Sequence, residues 1–114
     1  MTPKQFYKRA LAFPGTEANP HFDRVAFKVT GKRIFATLQE ESLTANLMLS
    51  PLDQSVFINL GKGSIYPVPN KWGLKGVTTF SLKTVSEELL VDALETAYHD
   101  VLKATKKPNR RSSI

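Results

Sequence analysis

Between Arg24 and Leu38 apolar and polar residues alternate with a period of two on both sides of Gly31-Lys32, and no other stretch restricts the fold as tightly. Successive side chains of a strand point to opposite faces, so Val25, Phe27 and Val29 share one face and Ala26, Lys28 and Thr30 the other. Gly31-Lys32 fits a two-residue hairpin turn with glycine at its first central position, which pairs Thr30 with Arg33. Val29 then faces Ile34, Phe27 faces Ala36 and Val25 faces Leu38. These apolar pairs fall on one side, and a slip of one residue would mix the faces. The opposite side carries Arg24, Lys28, Arg33 and Phe35.

The flanking residues extend this into an architecture. Thr2, Pro3 and Gln5 have the order of an N-cap, a first-turn proline and a capping-box partner, and Phe6, Ala10 and Phe13 follow at helical spacing, predicting a helix over 3–13. Pro14-Gly15 stops it, and residues 16–21 read as loop. After the hairpin, an acidic turn precedes a strand over 44–49. Ser50-Pro51 starts a helix that carries Leu52, Val56 and Leu60 and ends at Gly61. Residues 65–69 look extended, but Pro67 and Pro69 cannot donate to a ladder, so this is a sheet edge. A turn-rich stretch over 70–76 leads to a strand over 77–83. The last helix follows a Ser86 cap with a stripe of Leu89, Leu90, Ala93, Leu94, Ala97, Tyr98, Val101 and Leu102. The order α-β-β-β-α-β-β-α with short connections predicts an α+β two-layer sandwich, an antiparallel sheet with its helices on one face.

At 114 residues and 12.7 kDa this is one domain, expected over 1–105. Its net charge of +6 invites a nucleic-acid reading. Lys103, Lys106, Lys107, Arg110 and Arg111 supply five of the sixteen basic residues, however, leaving eleven against ten acids. Residues 106–114 are expected to be a basic, disordered tail on a nearly neutral body. There is no cysteine, which excludes disulfides, thiolate metal sites and cysteine nucleophiles. The amino-terminal residues form an amphipathic helix with Lys4, Lys8 and Arg9 rather than an apolar run, so the expected location is the cytoplasm, with no membrane partner.

Leu11-Ala12-Phe13-Pro14-Gly15-Thr16-Glu17, Pro20-His21-Phe22, Phe27-Lys28-Val29, Gly31-Lys32, Ile34-Phe35-Ala36-Thr37-Leu38 and Trp72-Gly73-Leu74-Lys75-Gly76-Val77-Thr78 are motifs that together resemble the MmcQ/YjbR family of small bacterial proteins, and Leu89 to Val101 is similar to that family's closing helix. The resemblance implies a two-layer fold akin to the type III secretion chaperones and the YjbR-like superfamily. Members are commonly labelled DNA-binding, and the resemblance carries no catalytic residues and no cofactor.

Two residue groups suit nucleic acid. On the hairpin, Phe35 among Arg24, Lys28 and Arg33 would let a ring stack on a base while cations meet phosphates. The plainer reading is that Phe35 is covered by the N-terminal loop, by Phe22 or by a partner subunit. In the loop, Trp72 between Lys71 and Lys75 either stacks on a base or anchors the loop to the sheet. Gly73-Leu74-Lys75-Gly76 matches the clamp loop of KH domains in letters but precedes a strand instead of joining two helices. Gly61-Lys62-Gly63-Ser64 lacks the longer glycine loop and following helix of a phosphate-binding motif. His21 and His99 are the residue type best suited to acid-base or metal work but lack a catalytic or metal-binding set, and no nucleophile elbow or carboxylate pair is visible. The expectation is a non-enzymatic protein without a cofactor. It is expected to bind DNA weakly and largely without sequence preference, or alternatively to act as a chaperone-like module for a protein partner or small ligand.

Overall fold

The computed structural model describes residues 1–104, so the basic segment 106–114 lies outside the described residues. Helix α1 (Pro3–Leu11) is capped by Thr2, whose hydroxyl accepts from the Gln5 amide while the Gln5 side chain accepts from the Thr2 amide. This reciprocal pair satisfies two amides that the first turn leaves unpaired. The helix ends before Phe13, and Gly15 at φ +73° turns the chain into strand β1 (Thr16–His21). The expected loop is therefore a strand, pairing antiparallel with β2 (Arg24–Val29) from Thr16 opposite Val29 to His21 opposite Arg24. Thr-Glu-Ala-Asn-Pro-His shows no apolar alternation because β1 is an edge strand, held by its ladder and tolerant of Pro20.

The hairpin of β2 with β3 (Ile34–Gln39) keeps part of the expected register. Val25 pairs with Leu38 and Phe27 with Ala36, but the next pair is Lys28 with Ile34. Phe35 is the extra residue of a β-bulge on β3, and the turn occupies residues 30–33 instead of two. A bulge re-aims the side chains beyond it. Phe35 thus lies on the helix side, fully buried, while Ile34 moves to the open face beside Lys28. Val29 therefore has no ladder partner in β3, and its one ladder partner is Thr16 of β1 on its other side.

Strands β4 (Thr44–Met48), β5 (Ile65–Pro67) and β6 (Val77–Ser81) complete a six-stranded antiparallel sheet in the order β1-β2-β3-β4-β6-β5, with β5 at the expected edge. Helix α2 (Pro51–Gly61) buries Phe57 and leaves Leu52, Val56 and Leu60 exposed. Helix α3 (Lys71–Leu74) is a single turn before β6. Helix α4 (Glu87–Ala104) lies across β2, β3 and β4 and buries Leu90, Ala93, Leu94, Ala97, Tyr98 and Val101. The helices cover one face of the sheet, over a core of Phe6, Phe27, Phe35, Leu38, Leu47 and Phe80. Tyr98 joins the layers: its ring stacks on Phe13 at 4.5 Å, meets Phe35 edge-on at 5.8 Å, and its hydroxyl donates to the Pro14 carbonyl.

Candidate functional site

The loop bearing the single tryptophan is held by its backbone. Asn70 caps α3 through its side-chain oxygen, which accepts from the Trp72 amide at 2.9 Å. Gln54 of α2 reaches across and donates through Nε2 to the carbonyls of Gly73 (2.9 Å) and Val77 (3.2 Å). Gly76, at φ +112°, lies so close to the end of β4 that a Cβ there would stand 1.8 Å from the Leu49 oxygen. With the backbone anchored in this way, the Trp72 ring is not needed as an anchor and is 51% exposed. The ammonium groups of Lys75 and Lys71 sit 5.1 and 6.0 Å from its ring centroid, within cation–π range.

Trp72 borders a cleft of about 860 Å³ at the end of the sheet where β4 ends and β3 and β6 begin. Met48, Val68, Val77, Leu49, Ile34 and Val101 supply apolar walls, and Arg33, Lys75 and Lys103 are its cations. Asp100 is its acid. Partial burial of the Asp100 carboxyl, reinforced by Asp53, pushes its pKa up, against the pull of Lys103 and His99. An acid whose pKa is raised on folding adds stability below its unfolded pKa and loses it as pH climbs through the folded value. Asp100→Asn is therefore expected to raise stability at neutral pH. In urea melts compared across pH, the gain should vanish below about pH 4, where the native side chain is itself protonated.

Of the residues named from sequence, Arg33, Trp72 and Lys75 line the cleft and Lys71 flanks its tryptophan. Arg24 and Lys28 lie apart, on the open face of β2, and are not in the cleft lining. Lys28 is 3.7 Å from the Glu17 carboxylate, whose pKa is lowered by hydrogen bonds from Asn19 and Thr30 and by Lys28. Arg24 donates through Nε to the Thr37 hydroxyl at 2.8 Å, and one terminal nitrogen of its guanidinium is buried without a partner. Burial pulls the Arg24 pKa down and Asp23 pulls it up. Phe35 is covered, as the plainer reading has it: the bulge turns it under Phe13, in the N-terminal connection between α1 and β1, and under Tyr98 of α4, which leaves it no surface for a ligand. The cationic aromatic face expected on the hairpin is therefore absent, and the aromatic among cations is Trp72.

Sequence reasoning did not reach Asn46, Ser50, Asp100 or Lys103 as cleft residues. They come from β4, the start of α2 and the far end of α4, and no local pattern joins them. It also missed Phe22, 96% exposed at φ +60° on the tip of the β1–β2 hairpin, with His21 edge-on at 5.1 Å. A left-handed backbone is costly for a bulky L-residue. His99 shares a shallow depression with Asp53, Asp92, Glu95 and Asp100, and among the described residues no three histidine or acidic side chains are placed to hold a metal ion.

The fold recurs in solved structures. A Deinococcus radiodurans protein, DR2400, described as a DUF419 domain, superposes with a TM-score of 0.76 at 23% identity, over 93% of this chain and 82% of that one. A Pseudomonas syringae protein solved as a structural-genomics target gives 0.65 at 16% identity, over 89% of this chain and 99% of that one. Identities this low speak for the fold alone. No curated protein matches in sequence. The YjbR family model matches residues 11–100, from the end of α1 through most of α4, taking in both the bulged hairpin and the Trp72 loop; the chain belongs to the YjbR family.

Proposed function

We propose that this protein binds nucleic acid weakly through the Trp72 cleft, and that its preferred form is a single strand with an unstacked base available to the ring. The observation that carries this reading is the half-exposed Trp72 on a backbone fixed by Gln54, Gly73 and Gly76, with two lysines against its ring. A rigid, exposed indole gives a base its π-face at little ordering cost, and neighbouring cations meet the phosphates. Duplex DNA keeps its bases stacked and offers this site only its backbone. Lys103 lies on the cleft wall, and the sequence that follows it adds Lys106, Lys107, Arg110 and Arg111.

Trp72 is the single tryptophan, so its fluorescence reports on the cleft directly. Oligonucleotide should quench it, and log affinity should fall with log salt at about −0.7 per phosphate neutralised. Trp72→Ala should cost about 1–3 kcal/mol of binding, measured by anisotropy of a labelled strand, whereas Trp72→Phe should retain most of it. Binding that survives Trp72→Ala unchanged would assign the affinity to the basic segment alone. Undetectable binding at low salt would end the proposal.

The exposed stripe of Leu52, Val56 and Leu60 on α2 favours a second reading, docking of a protein partner. Its signature is the opposite: retention at high salt and indifference to Trp72→Ala.

A further inference from the structure

The polar groups of the cleft are unequal in kind. The Asn70 side-chain oxygen is committed to the Trp72 amide, and the Asn46 side-chain oxygen accepts from the Thr79 hydroxyl at 2.8 Å. Each amide oxygen therefore has one of its two lone pairs occupied, while each NH2 end has its donors to offer. The Ser50 oxygen already accepts from the Asp53 amide. The loop carbonyls are engaged as well: that of Gly73 by Gln54, that of Gly76 by the Leu49 amide and the Thr78 hydroxyl, and that of Val77 by Gln54 and the Val68 amide. With Arg33, Lys75 and Lys103 added, the wall is rich in donors, set against the single carboxyl group of Asp100.

We infer that this cleft selects a base whose edge carries carbonyl acceptors, thymine or uracil, over adenine and cytosine. The inference rests on the single-strand reading above and deepens it. All four bases carry both donors and acceptors, but where thymine and uracil present the O4 carbonyl to these donors, cytosine and adenine present an exocyclic NH2. A donor facing a donor leaves both unsatisfied in a partly enclosed site, and that mismatch costs more than a good hydrogen bond contributes. Stacking by itself orders bases differently, because the larger adenine ring covers more of the indole. The two effects therefore predict opposite rankings of thymine and adenine.

The test is a Trp72 fluorescence titration of the full chain with oligo(dT), oligo(dA) and oligo(dC) of about eight nucleotides. Oligo(dT) is expected to bind roughly 5- to 10-fold more tightly than the other two. Asn70→Asp and Asn46→Asp each keep the oxygen that accepts from Trp72 or Thr79 and replace the donor with an acceptor. Their added negative charge weakens every strand, so the quantity to read is the dT-to-dA ratio, which should fall to about one in each variant with melting curves matching the parent. Equal binding of all three strands by the parent overturns the base preference and leaves the stacking site intact. A thymine preference that persists in both variants also overturns it, since flexibility of the oligo(dT) strand would then be the cause. Absence of quenching by all three overturns the nucleic-acid reading and this inference with it.

Discussion

Replacing Phe35 with alanine is expected to lower stability by about 3–5 kcal/mol, while Ile34→Ala costs substantially less. Phe35 is fully buried on the helix side, between Phe13 at 6.2 Å and Tyr98 at 5.8 Å, whereas Ile34 is only partly buried on the open face. Removing the ring deletes its burial and leaves a void that Tyr98, pinned by its hydrogen bond to Pro14, cannot readily fill. The ordering of the two variants tests the bulge itself. A regular hairpin through Gly31-Lys32 would put Ile34 in the core and Phe35 outside, and would reverse it. Urea unfolding monitored by far-UV circular dichroism gives both midpoints. If Ile34→Ala proves the more damaging, β3 does not carry the bulge described. Any loss of the proposed binding at the Trp72 cleft in Phe35→Ala should follow the unfolded fraction instead of reporting a lost contact.

Gly76→Ala is expected to cost more than about 3 kcal/mol and to deform the Trp72 cleft. The added methyl would stand 1.8 Å from the Leu49 oxygen and 2.8 Å from its carbon, both backbone atoms at the junction of β4 and α2. At φ +112° an L-residue is also strained regardless of space. The Leu49 amide donates to the Gly76 carbonyl at 3.2 Å, so relieving the clash pulls apart the contact that joins the tryptophan loop to the sheet. Gly63→Ala is the control. Gly63 has φ +93° but nothing within 4 Å of an added Cβ, so only the conformational cost of about 1–2 kcal/mol remains. Thermal melts of the two variants should differ clearly, with Trp72 fluorescence shifted in the native state of Gly76→Ala alone. Similar losses in both would mean that the loop yields and that the close approach to Leu49 is not a constraint.

Where a residue's state depends on its near neighbours in the chain, the sequence reading held. The Thr2-Gln5 capping box, the apolar stripe of α4 and the edge position of β5 all follow from local spacing, capping chemistry or the missing amide of proline. The pairs Val25–Leu38 and Phe27–Ala36 follow from period-two alternation on both strands. The bulge was not legible, because one extra residue leaves the alternation around it intact until the pattern meets the turn. Strand β1 was not legible either, since an edge strand needs only a partner's free ladder and carries little apolar signal of its own.

The same division runs through the site. Sequence by itself determined which side chains are suited to stack or to meet phosphates, singling out Trp72, Lys71, Lys75 and Arg33, because those capacities are chemical properties of the residues. Only the tertiary structure decided that Arg33 joins Trp72 while Arg24 and Lys28 do not, and that Phe35 belongs to the core. It also brought Asn46, Asp100 and Lys103 to the same cleft from β4 and the last turns of α4. The physical reason is that exposure and juxtaposition are set by how the sheet packs against its helices, and a single bulge in β3 is enough to exchange a surface aromatic for a buried one.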